Sequence, residues 1–185
     1  MQTIILPYST AANFTKDYDH LILQRGTLLL GQGYNIFLKF SIPAWIHKCC
    51  IKKAALILWK SPDSRMKLEC GDCCYKIFPV QCDNYTCSIP CCNCPFLPCG
   101  GKYFEDQSRD SVTKIEITDM VNANFARTSD INFVLAGDCR TNIICYELNQ
   151  AAGCSRNPQI CLELNDNCFS KPIMVAKASV KVSNL

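Results

Sequence analysis

The sequence predicts an all-β chain, a two-sheet sandwich or barrel with one short helix and a cysteine-rich loop insertion. Short apolar stretches with strand periodicity recur along the 185 residues, each closed by a cluster of Gly, Pro, Asn, Asp or Ser. They do not alternate with helical segments, as the βαβ units of a parallel sheet would. Between residues 61 and 110 the pattern breaks, and cysteines replace apolar side chains as the main source of cohesion. The length fits one domain over residues 1–185 with that segment inserted in it.

Taken in order, Thr3 to Leu6 (TIIL) reads as a short strand or terminal arm ended by Pro7, which has no N–H to give to a ladder. From Tyr18 the apolar runs are broken at Arg25-Gly26 and at Gly31-Gln32-Gly33. The second break lacks the third glycine and the lysine of a phosphate-binding loop, so it reads as a turn. Tyr34, Ile36, Leu38, Phe40 and Ile42 then alternate with Asn35, Phe37, Lys39 and Ser41, which makes this the clearest strand of the chain. Phe37 on its second face predicts cover from another layer or a subunit, and Pro43 stops the strand. Lys53 to Lys60 (KAALILWK) reads as a strand buried on both faces, and Ser61 to Ser64 (SPDS) as a turn. Arg65 to Glu69 and Tyr75 to Val80 read as strands bordering the insertion.

Beyond Gly100-Gly101, Val112 to Ile117 (VTKIEI) is a β-branched strand. Thr118-Asp119 forms a helix start for DMVNANFAR, in which Met120, Val121 and Phe125 can share a face. Ile131 to Ala136, Ile143 to Leu148 and Gln159 to Leu164 give three more short strands. At the C-terminus Ala176, Ala178, Val180 and Val182 face one way in a last amphipathic strand.

The sixteen cysteines are Cys49, Cys50, Cys70, Cys73, Cys74, Cys82, Cys87, Cys91, Cys92, Cys94, Cys99, Cys139, Cys145, Cys154, Cys161 and Cys168. Nine of them fall in the thirty positions from Cys70 to Cys99, a stretch interrupted by prolines and too poor in apolar runs to order itself by burial. Disulfides would staple it at about 2–4 kcal/mol each. Zinc is the alternative, because Cys70-x2-Cys73 and Cys91-x2-Cys94 have the spacing of a four-cysteine ribbon. A single site would leave five cysteines of the segment over, so the reading is all sixteen as disulfide candidates, with no metal and no other cofactor. Neighbouring cysteines diverge, so the vicinal pairs Cys49-Cys50, Cys73-Cys74 and Cys91-Cys92 each need outside partners.

Charge and hydropathy exclude other classes. The net charge of +3 is spread along the chain without a run of like charges, so no nucleic-acid partner is expected. No stretch approaches the roughly 18 apolar residues of a membrane span. The opening QTIILPYSTAANF has no basic n-region, and the first positive charge is Lys16. That is not a conventional signal peptide. Oxidised cysteines without one point to an extracellular, cell-surface or spore-surface protein made inside a cell and oxidised late.

An enzyme is not expected, and no catalytic residue is assigned. The histidines are His20, beside a strand, and His47, close to Cys49 in sequence only; a disulfide-bonded sulfur is no nucleophile. Asp17 and Asp19 read as solvated loop charge before calcium ligands, given how many oxygens calcium needs. Asn13-Phe14-Thr15 and Asn84-Tyr85-Thr86 match the glycosylation sequon, a pattern common by chance. Aromatic residues carry the binding hypothesis. Trp45, Tyr75, Tyr85 and Tyr103, with Phe96 and Phe104 nearby, read as loop residues whose rings could stack on a sugar face, with core or subunit packing as the other account.

Two separated blocks add a resemblance. YNIFLKFSIPAWIHKCCIKKAALILWK resembles the opening of the DNRLRE-type domains, relatives of jelly-roll carbohydrate-binding modules, and VTKIEITDMVNANFARTSDINFVLAG is similar to that family's strand, capped helix and strand. SRNPQICLEL resembles its closing motif, with Ser155, Arg156, Pro158 and Leu162 in the matching positions. The blocks cover 63 of the 185 residues. The resemblance implies a jelly-roll-like antiparallel sandwich, and sugar binding less directly, since fold does not fix function. The cysteine insertion and the missing export signal depart from the family.

The function expected from these readings is a non-enzymatic structural subunit that assembles with copies of itself into a disulfide-stabilised filament or layer. The surplus thiols and the apolar terminal segments, suited to strand exchange, motivate it. A carbohydrate-binding module with a disulfide- or zinc-stapled loop, whose partner would be a polysaccharide, is the alternative.

Overall fold

The computed structural model describes residues 2–15, 18–22, 26–31, 33–62, 74–80, 100–106, 110–125, 129–137, 143–149 and 156–166. Among them are β1 (Gln2–Thr15), β2 (Tyr18–Ile22), β3 (Gly26–Leu30), β4 (Tyr34–Ser41), a 3-10 turn (Lys48–Cys50), β5 (Ile51–Trp59), β6 (Cys74–Val80) and β7 (Lys102–Glu105). They are followed by β8 (Val112–Glu116), α1 (Thr118–Phe125), β9 (Asp130–Gly137), β10 (Ile144–Leu148) and β11 (Gln159–Leu164). The expected strands at Arg65 to Glu69 and Ala176 to Val182 lie outside the described residues.

The architecture is an antiparallel sandwich, close to a barrel, as the alternating sequence patterns require. Its strand order is β7-β6-β9-β4-β1-β11-β5-β8, with β2 beside β1 and a separate two-stranded ribbon of β10 and β3. The joint is β1. Residues Gln2 to Pro7 pair with β11 in the first layer, and Tyr8 to Thr15 pair with β4 in the second. Pro7 therefore does not end the strand, contrary to expectation. It occupies the last register with β11, just before an irregularity between Tyr8 and Thr10, where the strand changes partner and a missing N–H costs least.

Burial follows the alternation. Ile36, Leu38 and Phe40 of β4 meet Leu56 and Leu58 of β5 and Leu162 of β11 in one core, all fully buried. Phe37, expected to need a second layer or a subunit, is 2% exposed and packs in a smaller cluster with Phe14, Val80 and Val134 of its own sheet. Cover thus comes from within the chain. The segment 61–110 is anchored in the main sheet by β6, which pairs with β9 and sends Tyr75 and Ile77 into the core.

The helix begins where its cap predicts. Thr118 Oγ1 accepts the Ala54 N–H at 2.8 Å and Glu116 Oε1 accepts the Thr118 N–H at 2.9 Å, so α1 is tied to β5 and β8 at its first residue. Met120 and Val121 face the core.

Candidate functional site

The most unusual chemistry in the described residues is a buried polar cluster inside this apolar framework. Lys60 follows β5, Asp106 follows β7, Thr113 sits on β8 and Tyr146 on β10. Lys60 Nζ and Asp106 Oδ1 form an ion pair in which the side chains are 6% and 1% exposed. The other carboxylate oxygen, Oδ2, accepts hydrogen bonds from Thr113 Oγ1 at 2.9 Å and Tyr146 Oη at 3.0 Å. Burial and the neighbouring Asp106 charge hold the Tyr146 hydroxyl protonated far above the usual tyrosine range. Backbone pairing sets this geometry: Lys60 bridges Tyr146 directly, and Lys60 N–H donates to Ser111 C=O at 2.9 Å. Two charges out of water cost several kcal/mol each, which Coulomb attraction and full hydrogen bonding must offset.

No motif marks these four residues in the sequence. Lys60 ends an apolar run, where a strand-terminal lysine is usually solvated, and its partner lies beyond the whole cysteine-rich segment. Only the crossing from β7 to β8 brings them together.

The residues singled out by sequence divide sharply. Trp45 and Tyr103 are exposed, at 55% and 66%. Tyr75, read as a ring open to a ligand, lies on the strand expected from Tyr75 to Val80 but has no exposure, its ring stacked on Phe104 with centroids 5.7 Å apart. Its position on the inward phase of β6 puts it in the core, where no sugar reaches it. Tyr103 and Phe104 also belong to a strand, β7. Tyr103 has Lys76 Nζ over its ring at 4.9 Å, and the same ammonium lies 4.8 Å from the Phe78 ring. Tyr85 and Phe96 lie outside the described residues.

Of the disulfide candidates, Cys49, Cys145 and Cys161 are thiols, Cys49 exposed and the other two half-buried. Cys50 is disulfide-bonded. It is 5% exposed at the start of β5, and Asn165 binds the backbone on both sides of it, donating N–H to Cys50 C=O and Nδ2 to Cys49 C=O. Cys74 is placed by its backbone on β6; Cys70, Cys73, Cys82, Cys87, Cys91, Cys92, Cys94, Cys99, Cys139, Cys154 and Cys168 lie outside the described residues. Among the described residues no three His, Cys, Asp or Glu side chains converge as metal ligands. Nor is any described helix long and apolar enough to cross a membrane.

On the outward face of the first layer a short apolar strip runs among polar residues. Ile5 of β1 is opposite Cys161 of β11, which is opposite Ala55 of β5, and Ile57 and Trp59 continue the row along β5. Ile5 is 57% exposed, and Cys161, Ile57 and Trp59 are half-buried. A thiol thus lies within a short apolar strip on an outward sheet face.

No protein-family model matches the chain and no curated protein matches it. Of the positions that carry the DNRLRE-type resemblance, Pro158 and Leu162 are buried, and Arg156 pairs with Glu147 at 3.0 Å. Ser155 is outside the described residues.

Proposed function

We propose that the chain is a non-enzymatic structural subunit that assembles with copies of itself into a disulfide-stabilised filament or layer at an extracellular or spore surface. The observation that supports this most is the Ile5–Cys161–Ile57–Trp59 strip: apolar area on a sheet face favours burial against another copy, and Cys161 lies where two such faces would meet. Cys49, exposed on the turn before β5, is a second thiol within reach of a neighbour. The test is sizing of the full chain after mild oxidation, with and without reductant. Oligomers that persist until reductant is added, and that Cys161→Ser together with Cys49→Ser prevents, are expected; a monomer under both conditions refutes the proposal.

The exposed rings of Trp45 and Tyr103 support a second reading, binding to polysaccharide. Retention on an insoluble glucan or chitin, lost in Trp45→Ala or Tyr103→Ala, is its expected signature; passage of the unmodified chain through every matrix tried removes it.

A further inference from the structure

We infer that Lys60 and Asp106 are the two halves of an intramolecular amide, a self-formed cross-link between the layers of the sandwich. An ion pair at 6% and 1% exposure leaves two charges in a region without solvent, and condensation to an amide removes both. The reactants need no diffusion. The Lys60 nitrogen already touches the Asp106 carboxyl group, held there by the pairing of Lys60 with Tyr146 and of its N–H with Ser111.

The rest of the cluster supplies what the addition requires. A proton passes from the Lys60 ammonium to the Asp106 carboxylate, leaving an amine and a carboxylic acid. The nitrogen lone pair then adds to Cγ, and negative charge develops on Oδ2. Thr113 Oγ1 at 2.9 Å and Tyr146 Oη at 3.0 Å are donors aimed at that atom. Oδ1 departs as water, taking two of the three ammonium protons, and the third stays on the amide nitrogen. Oδ2 becomes the amide carbonyl oxygen and keeps both hydroxyl donors. Atoms and charge balance without oxidant, metal or cofactor.

The bond would join the end of β5 in the first layer to the end of β7 at the edge of the second, closing a ring that contains all nine cysteines from Cys70 to Cys99. Tension along the main chain would bypass that segment. Unlike a disulfide, the link survives thiols. It does not depend on self-assembly, since every group in it comes from one chain.

Intact mass of the full chain, completely reduced and alkylated, tests it. A mass one water below that of the alkylated sequence is expected, together with a branched proteolytic peptide joining the Lys60 and Asp106 segments. The unshifted mass, with Lys60 recovered only in linear peptides, overturns the inference. Lys60→Arg and Asp106→Ala should each restore the unshifted mass, and a deficit surviving in either overturns the assignment to that residue. Tyr146→Phe should slow the appearance of the deficit in freshly synthesised chain by tenfold or more, and an unchanged rate overturns the role given to its hydroxyl.

Discussion

Replacement of Asn13 tests how the β3–β10 ribbon is attached to the rest of the sheet. Asn13 is 1% exposed on β1, and its carboxamide accepts the Leu29 N–H at 2.9 Å while donating Nδ2 to Leu29 C=O at 2.6 Å and to Asn35 C=O at 3.0 Å. The side-chain amide thus offers β3 the donor and acceptor that a neighbouring strand would offer, at a residue whose polar groups point away from β10. Leucine keeps the branch at Cγ, is somewhat larger, and has none of these groups. Asn13→Leu would orphan one N–H and reduce two carbonyls, at about 1–3 kcal/mol for each buried group left without a partner, so a total loss of roughly 3–5 kcal/mol is expected. At roughly 2–4 °C per kcal/mol for a chain of this size, the melting temperature should fall by on the order of 10 °C. Asn13→Asp should be worse near neutral pH, because a carboxylate oxygen then faces two carbonyls, and should recover in part in acid as the carboxyl regains a donor. Urea unfolding of both variants at constant reductant measures this. A loss below about 1 kcal/mol for Asn13→Leu would refute the view that the carboxamide serves as a strand, since net hydrogen-bond contributions alone reach that size.

Other consequences can be checked alongside it. Hydrogen bonding from Thr118, aided by Lys102, holds the Glu116 carboxyl at about 2, below its ordinary 4.5. A depressed folded-state value stabilises above the unfolded one, so the advantage of the parent over Glu116→Gln should be complete above pH 4.5 and vanish as pH falls toward about 2. Because the side chain is 45% exposed, the difference in unfolding free energy should stay below about 1 kcal/mol. A Cβ on Gly101 would come within 2.6 Å of Lys76 Cε and the Phe78 ring, so Gly101→Ala should cost about 1–2 kcal/mol and displace Lys76 from its two rings. In a Phe78→Ala background most of that cost should disappear, as a double-mutant cycle by thermal unfolding would show. Ile5→Lys should leave monomer stability within about 0.5 kcal/mol while weakening assembly, whereas Leu6→Lys, one residue along and 3% exposed, should unfold the domain; circular dichroism and sizing separate the two outcomes.

The elements of the second layer were legible wherever one face is buried. The alternation of Ile36, Leu38 and Phe40 against Asn35 and Lys39 is what burial of one face demands, and Thr118-Asp119 announced the helix by its capping chemistry. Pro7 misled because a proline in an apolar run ordinarily ends it; that β1 exchanges partners there depends on β11, more than a hundred residues away. Tyr75 misled in its face and not in its element: the strand from Tyr75 to Val80 was legible, but nothing local shows that β6 pairs with β9 and turns that ring into the core. The Lys60–Asp106 cluster was invisible altogether, since a lysine beside a tryptophan and an aspartate after a glutamate look like ordinary strand ends until the crossing from β7 to β8 juxtaposes them.

Two covalent links, the Cys50 disulfide and the proposed amide, meet at one strand, and this makes them separable. Cys50 precedes β5 and is disulfide-bonded, and Lys60 follows it and touches Asp106. β5 lies between β11 and β8 in the first layer and contributes Ala54, Leu56 and Leu58 to the core, so clamping its two ends limits the opening of that layer. One clamp yields to thiols and the other does not. Reductant should therefore release one end of β5 while the domain keeps its strand content, and the residual cooperativity of thermal unfolding should depend on Lys60. In Lys60→Arg, reductant should lower the melting temperature further than in the parent, because both ends of β5 are then free of covalent restraint. Equal reductant sensitivity in parent and variant would show that the lysine end contributes no restraint beyond an ordinary ion pair.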